Sequence, residues 1–255
     1  MYISIKNRII FLLILFTLLP FVLLRIVAYP RIQADLQEVL IRNLDGIGHK
    51  QAELVTNWMH ERMKNARVIA NNPLMIRSTK ITEVDKDYPD IVQYLEVAKG
   101  EYGYKGVLVC NDSGVITVGT AGEAVGADVS QMDYFKQAIQ GNTSASNMIP
   151  SEIPLTNELG EKELGLPTMF VSTPLMDRDG VVIGVVAIRV DVNALNDLML
   201  SLNLGKTGET YLVNKDGFML TESRFAAHLK EMGLVKKRCA LSLKLVNSET
   251  GELNE

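Results

Sequence analysis

An α+β fold, built on an antiparallel sheet and preceded by a long helical N-terminus, is predicted by three features of the sequence. Residues 9–29 are one apolar run, and residues 31–70 repeat apolar side chains at helical spacing. Residues 106–118 and 168–190 each hold two apolar, β-branched stretches divided by turn residues, the pattern of a β-hairpin. A hydrophobic content of 47% supplies cores for one or two domains in 255 residues. The net charge of −4 gives no basic field, so nucleic acid is not an expected partner.

The apolar run follows Lys6 and Arg8 and measures about 31 Å as a helix, enough to span a bilayer. Pro20 is tolerated in such a helix, and Arg25 can extend its head to the lipid headgroups. The exit, Val27-Ala-Tyr-Pro-Arg31, has no Ala-x-Ala cleavage site, which favours an uncleaved anchor over a signal peptide. Basic residues flank both sides, Lys6 and Arg8 against Arg25 and Arg31. A short basic tip normally stays in the cytoplasm, so the rest is expected outside the cell membrane. Residues 1–30 are therefore read as tip and anchor.

Leu40, Leu44, Ile47, Leu54, Trp58 and Ile69 predict an amphipathic helix over 31–70, ended by Asn71-Asn-Pro73. This stalk, 31–72, can pair with a second copy as a homodimer or pack on its own domain. A helix is expected over 90–102, then a hairpin turned at Asn111-Asp-Ser-Gly114. A short helix over 131–140 follows, then a strand near 145–149 and a loop over 150–166 with four glutamates. The hairpin 168–190 turns at Asp177-Arg-Asp-Gly180. Its second strand is so apolar that it belongs in the middle of a sheet covered on both faces. A helix over 192–202 closes this module, 73–202, which should hold about five antiparallel strands.

The pattern restarts at Gly205, with Asn214-Lys-Asp-Gly217 echoing the first turn, a helix over 225–232 and a strand over 240–246. Residues 203–255 are read as the start of a second, truncated module, with no output domain in this chain.

Sites of chemistry are few. Gly205-Lys206-Thr207 has Leu200 where a phosphate-binding loop needs glycine, and His60-Glu61 is followed by Lys64 where a zinc motif needs histidine. His49 and His60 are about 16 Å apart along a helix, too far for one metal. Cys110 and Cys239 match no metal or redox spacing; they are two free thiols or one disulfide. No enzyme and no cofactor is expected.

The order of anchor, long helix, Asn111-Asp-Ser-Gly114, Asp128-Val-Ser-Gln-Met-Asp-Tyr-Phe-Lys-Gln-Ala138, Phe170-Val-Ser-Thr-Pro174, Gly180-Val-Val-Ile-Gly-Val-Val186 and Asp191 resembles the double Cache (dCache) family. Leu204-Gly-Lys-Thr-Gly-Glu-Thr-Tyr-Leu-Val-Asn-Lys-Asp-Gly217 resembles the start of its membrane-proximal module. That family supplies extracytoplasmic sensors of bacterial chemoreceptors, histidine kinases and diguanylate cyclases. The resemblance implies two PAS-like modules and a pocket in the distal one for a small polar metabolite, an amino acid, amine or organic acid. The residues expected at the ligand are Tyr134, Phe135, Lys136, Ser172 and Asp191. Met132 stands where many relatives carry a carboxylate-binding arginine, leaving Lys136 as a partial substitute. Asp191 is equally suited to receiving a ligand amine or to capping the next helix, and Tyr134 and Phe135 to walling a ligand or filling a core. A membrane-anchored adhesion or scaffold module, using the fold without a ligand, is the alternative function.

Overall fold

The computed structural model describes residues 5–120, 123–157, 159–201 and 204–246. The chain divides into two compact units, Met1–Ala52 and Glu53–Glu255.

In the first unit, α1 (Ile5–Leu23) has no buried side chain, and its apolar residues, among them Phe11, Phe16 and Phe21, are exposed all round. A helix with no polar face wants an apolar solvent. It is long and apolar enough to cross a membrane. Pro20 lies inside it, as predicted. One wide turn, Leu24–Ala28, follows, closed by the Tyr29 N–H donating to the Leu24 carbonyl. Pro30, just beyond, has no N–H to give, and a local π-type turn is one way a helix absorbs that loss. The next helix, α2, is Tyr29–Ala70. Its early apolar residues Leu36, Leu40 and Leu44 are exposed.

Within the second unit, the end of α2 contributes Trp58, Ala66, Ile69 and Ala70 to the main core. Asn71-Asn-Pro73 ends the helix as expected and at once starts another, α3 (Pro73–Ser78). Asn72 caps it through Oδ1, which accepts from the Leu74 N–H at 3.0 Å, and Pro73 sits where no N–H is needed. Then come α4 (Tyr88–Tyr102), β1 (Gly106–Asn111), β2 (Ile116–Gly119), α5 (Asp133–Ile139), β3 (Ser144–Ala145), β4 (Ile149–Pro150), β5 (Leu155–Thr156), β6 (Lys162–Glu163), β7 (Pro167–Met176), β8 (Val182–Val190), α6 (Asn193–Leu200) and α7 (Ala226–Glu231).

The main sheet runs β2-β1-β8-β7-β3, antiparallel throughout, with β4 also pairing β7. β8 is thus central, as its apolar sequence requires. Its period of two divides the sheet into two faces. Val107, Val109, Val171, Val186 and Ile188 pack in the core with α2 and α4, while Leu108, Cys110, Phe170, Val185 and Ala187 pack in the core with α5.

Among the described residues, one turn chemistry is found at four positions. Oδ1 of Asn111, Asn157, Asp177 and Asn214 accepts from the backbone N–H two and four residues on, at 2.9–3.1 Å. In each case the glycine third in line has positive φ, between 79° and 88°. The side chain acts as the turn's own acceptor, and only glycine takes the left-handed step without strain.

Three expectations are corrected. The strand near 145–149 is two short strands, β3 and β4, on the same edge of β7. The loop 150–166 contains the β5–β6 hairpin, turned at Asn157; Glu158 of its four glutamates lies outside the described residues. No strand forms over 240–246. Leu241 has φ +61°, which breaks an extended run, and the segment meets 217–219 through the isolated bridge Phe218↔Lys244 and backbone bonds from the Met219 N–H to the Leu243 carbonyl, the Leu241 N–H to the Met219 carbonyl and the Leu245 N–H to the Gly217 carbonyl. Residue 203 and residues 247–255 of the expected second module, and Leu202 at the expected end of α6, lie outside the described residues. Within 204–246, Met219, Val235 and Cys239 form a small core, and Leu212, Leu220 and Leu241 pack on the main one.

Candidate ligand site

Under α5, on its face of the sheet, lies a cavity of about 60 Å³. Apolar residues of β1, β2 and the following segment line it, together with Met132, Tyr134, Phe170, Thr168, Glu152, Glu123 and Arg189. The site is organised around Arg189. It sits on β8 directly between Phe170 of β7 and Gly106 of β1. Its guanidinium lies 4.4 Å from the centre of the Phe170 ring, and Nη1 donates to Thr168 Oγ1 at 3.3 Å. Nε and Nη2 donate to the two carboxylate oxygens of Glu123, each at 2.9 Å. Both side chains are almost fully buried, 6% and 3% exposed. A buried charge pair survives only with such fork-on-fork geometry.

The glycine beside Arg189 has a structural role. A Cβ at position 106 would overlap Glu123 Oε1, and a Cβ at Gly119 would come within 2.8 Å of Glu123 Cβ. Two strands therefore omit side chains to admit one glutamate. The segment carrying Glu123 is pinned beside it. Thr120 exchanges hydrogen bonds with Val107, its N–H to the carbonyl and its Oγ1 from the N–H, and the Gly126 N–H donates to the Ile116 carbonyl.

Tyr134 forms the opposite wall, its ring stacked on Phe170 with centroids 4.3 Å apart. Burial, with a smaller contribution from Cys110, holds its phenol above the ordinary range. Burial pushes the Cys110 thiol up to about 12, with Glu123 adding to the effect, so Cys110 is an inert packed thiol at neutral pH. Both cysteines are free and buried.

The other sequence-derived candidates are dispersed around this cavity. Phe135 is buried in the α5 core. Ser172 is fully buried, its Oγ donating to the Tyr134 carbonyl at 2.7 Å. Lys136 is exposed on the outer side of α5. Asp191 faces a different, larger cleft of about 640 Å³, bordered by β5, β6, α6 and segment 220–240. There it pairs with Lys105 at 3.0 Å and accepts from the Asn193 N–H at 3.1 Å, as a residue at a helix start does. Across the same cleft Arg238 bonds Glu163 of β6 at 2.5 Å.

Sequence reasoning passed over Arg189, Glu123 and Gly106. The signal was present for Arg189: it is the one charge in the run 181–190, and a charge in a strand buried on both faces needs a buried partner. Among the described residues no cluster of histidine, cysteine or carboxylate side chains could hold a metal ion.

Residues 32–253 match the family model dCache_1, described as Cache domain. No curated protein matches the chain. Among solved structures, the sensory domain of the Campylobacter jejuni chemoreceptor Tlp3 (CcmL) is similar at 14% identity and a TM-score of 0.58, over 77% of this chain and 76% of that one. The ligand-binding domain of the Pseudomonas fluorescens chemoreceptor CtaA, in complex with L-serine, is similar at 17% identity and TM-score 0.53, over 79% and 77%. The sensor domain of the V. cholerae histidine kinase DctB is similar at 12% identity and TM-score 0.51, over 84% and 79%. At these identities the likeness is one of fold.

Proposed function

The chain belongs to the Cache domain family, and from that premise we propose that it is the extracytoplasmic ligand sensor of a membrane-anchored bacterial signalling receptor. The observation that carries the reading is the charged, largely apolar cavity between α5 and the sheet, with Arg189, Glu123, Glu152 and Thr168 as its polar groups and Tyr134 as its wall. A few convergent polar groups in an apolar pocket suffice to recognise a small molecule. The ligand class is a small polar metabolite such as an amino acid, amine or organic acid; the CtaA domain is a relative in fold seen with L-serine. Tyr134 contacts the ligand, and Phe135 and Ser172 position it. Lys136 and Asp191 lie away from this cavity and act on a ligand only if α5 or the cleft rearranges.

The anchor reading rests on the apolar run of α1 beyond Arg8, none of it buried. Distal residues 73–202 then form the ligand-binding module and 203–255 the start of a membrane-proximal one. The exposed Leu36, Leu40 and Leu44 fall on one helical stripe and support pairing of two copies through the stalk. Protease added to intact spheroplasts is expected to cut beyond Tyr29; protection of that whole region would place the sensor on the wrong side.

A cavity of about 60 Å³ is smaller than the few hundred Å³ that metabolite pockets usually have, so binding requires side chains at the site to move. That same smallness favours the second reading, a scaffold module without a ligand. A thermal-shift screen of the full chain in detergent, against amino acids, organic acids, amines and purines, decides between them. The sensing reading expects one class to raise the melting temperature, with Tyr134→Leu weakening that ligand at least tenfold; ligand at 100 times Kd adds about 2.7 kcal/mol. If no compound stabilises the chain, the scaffold reading stands.

A further inference from the structure

The site contains its own carboxylate ligand. Glu123 enters the sheet face from the connector after β2, and no side chain of the sheet occupies the slot it fills. Gly106 and Gly119 leave that slot open on two different strands. Its carboxylate meets the guanidinium edge to edge, one oxygen on Nε and one on Nη2, while Nη1 is held by Thr168 and Phe170 packs against the guanidinium. Everything that fixes Arg189 belongs to the sheet. Glu123 is the one member of the arrangement carried outside the strands of the main sheet, on the connector after β2, which is tied back beyond it by the isolated bridge Val115↔Asp128 and by the Gly126 N–H donating to the Ile116 carbonyl.

We propose that Glu123 is a place-holding competitor, and that the molecule sensed here carries a carboxylate which takes its place on Arg189. This rests on the sensing reading above and names its ligand class. The exchange conserves the buried charge balance: one carboxylate leaves for water as another arrives, so the guanidinium is never left bare. It also accounts for the small cavity, because the space a ligand needs is the present cavity plus the slot of the departing side chain. The competitor lowers apparent affinity by the fraction of time it occupies the guanidinium, which sets the concentration at which the sensor responds. Leaving the slot breaks the register of the connector at Glu123, whose N–H donates to the Thr120 carbonyl, beside the β1 residue Val107.

The test is calorimetry on the full chain with acetate, propionate, lactate, glycine and alanine, each against its amide, which lacks the carboxylate. Glu123→Gln, which keeps shape and removes charge, is expected to bind at least one carboxylate ten times more tightly than the unaltered chain, and no amide; adding Arg189→Gln abolishes the gain. Unchanged or weaker carboxylate binding in Glu123→Gln overturns the proposal, as does equal binding of amides. Selective weakening of glycine and alanine would mean that Glu123 receives an ammonium group instead. Hydrogen exchange on the unaltered chain gives a measurement free of folding defects: 100 mM propionate, unlike propionamide, should speed exchange over residues 123–127, and equal exchange with the two refutes displacement. If some other compound from the screen binds in a Tyr134-dependent way while these tests fail, the sensing reading survives and only the carboxylate assignment falls.

Discussion

Arg189→Met is expected to destabilise the protein by about 3–5 kcal/mol, read as a lower midpoint in chemical denaturation at pH 7. The methionine follows the arginine's path and keeps much of its packing on Phe170, so the loss is electrostatic in origin. The Glu123 side chain, 3% exposed, would lose the partner of its buried charge. The double variant Arg189→Met, Glu123→Leu separates this from a packing defect. With both charges gone no group is stranded, and most of the stability should return. Were the double variant as unstable as the single one, shape and not charge would be what the pair supplies. The same pair is proposed to open when a ligand arrives, so stability and ligand response would be set by one interaction.

The second large effect is expected at the other end of β8. Gly184→Ala should cost about 3 kcal/mol, because an added Cβ would overlap the Cys110 carbonyl oxygen of the neighbouring strand and lie 2.7 Å from Thr79 Cγ2. The obstacle on one side is backbone, at the last pair of the β1–β8 ladder where Asn111 pairs with Gly184, so it has no rotamer to change. Gly180→Ala is the control. It meets nothing within 4 Å but has φ +79°, so its cost is the left-handed conformation alone, roughly 1 kcal/mol. Equal losses in the two variants, measured by denaturation, would show that the strand contact is looser than described.

Most of the fold was legible in local patterns. The N-terminal apolar run and the amphipathic stalk are one-dimensional signals, since lipid and helix periodicity act on consecutive residues. The hairpins turned at Asn111 and Asp177 were legible because Asn or Asp followed three residues later by glycine encodes a turn in its own side chain, whereas the same signature at Asn157 was read as loop. The two-residue strands β3 to β6 were not, because a ladder of two residues has no period to read and exists only by leaning on β7 or on its hairpin partner. The expected strand over 240–246 failed for the converse reason: its apolar, strand-like composition could not announce the left-handed Leu241.

The candidate site divides along the same line. The sequence by itself determined that β8 is central, that α5 carries an aromatic pair and that the sheet has two apolar faces, because alternation and helical spacing are properties of neighbours in the chain. Only the tertiary structure decided that Tyr134 faces the cavity while Phe135 fills the core beside it, and that Asp191 turns to Lys105 in another cleft. Only it joined Arg189 to Glu123, 66 residues apart, through the gaps left by Gly106 and Gly119. Burial makes that pairing obligatory once the strands are in register, and register between distant strands is fixed by packing, which no local stretch of sequence contains.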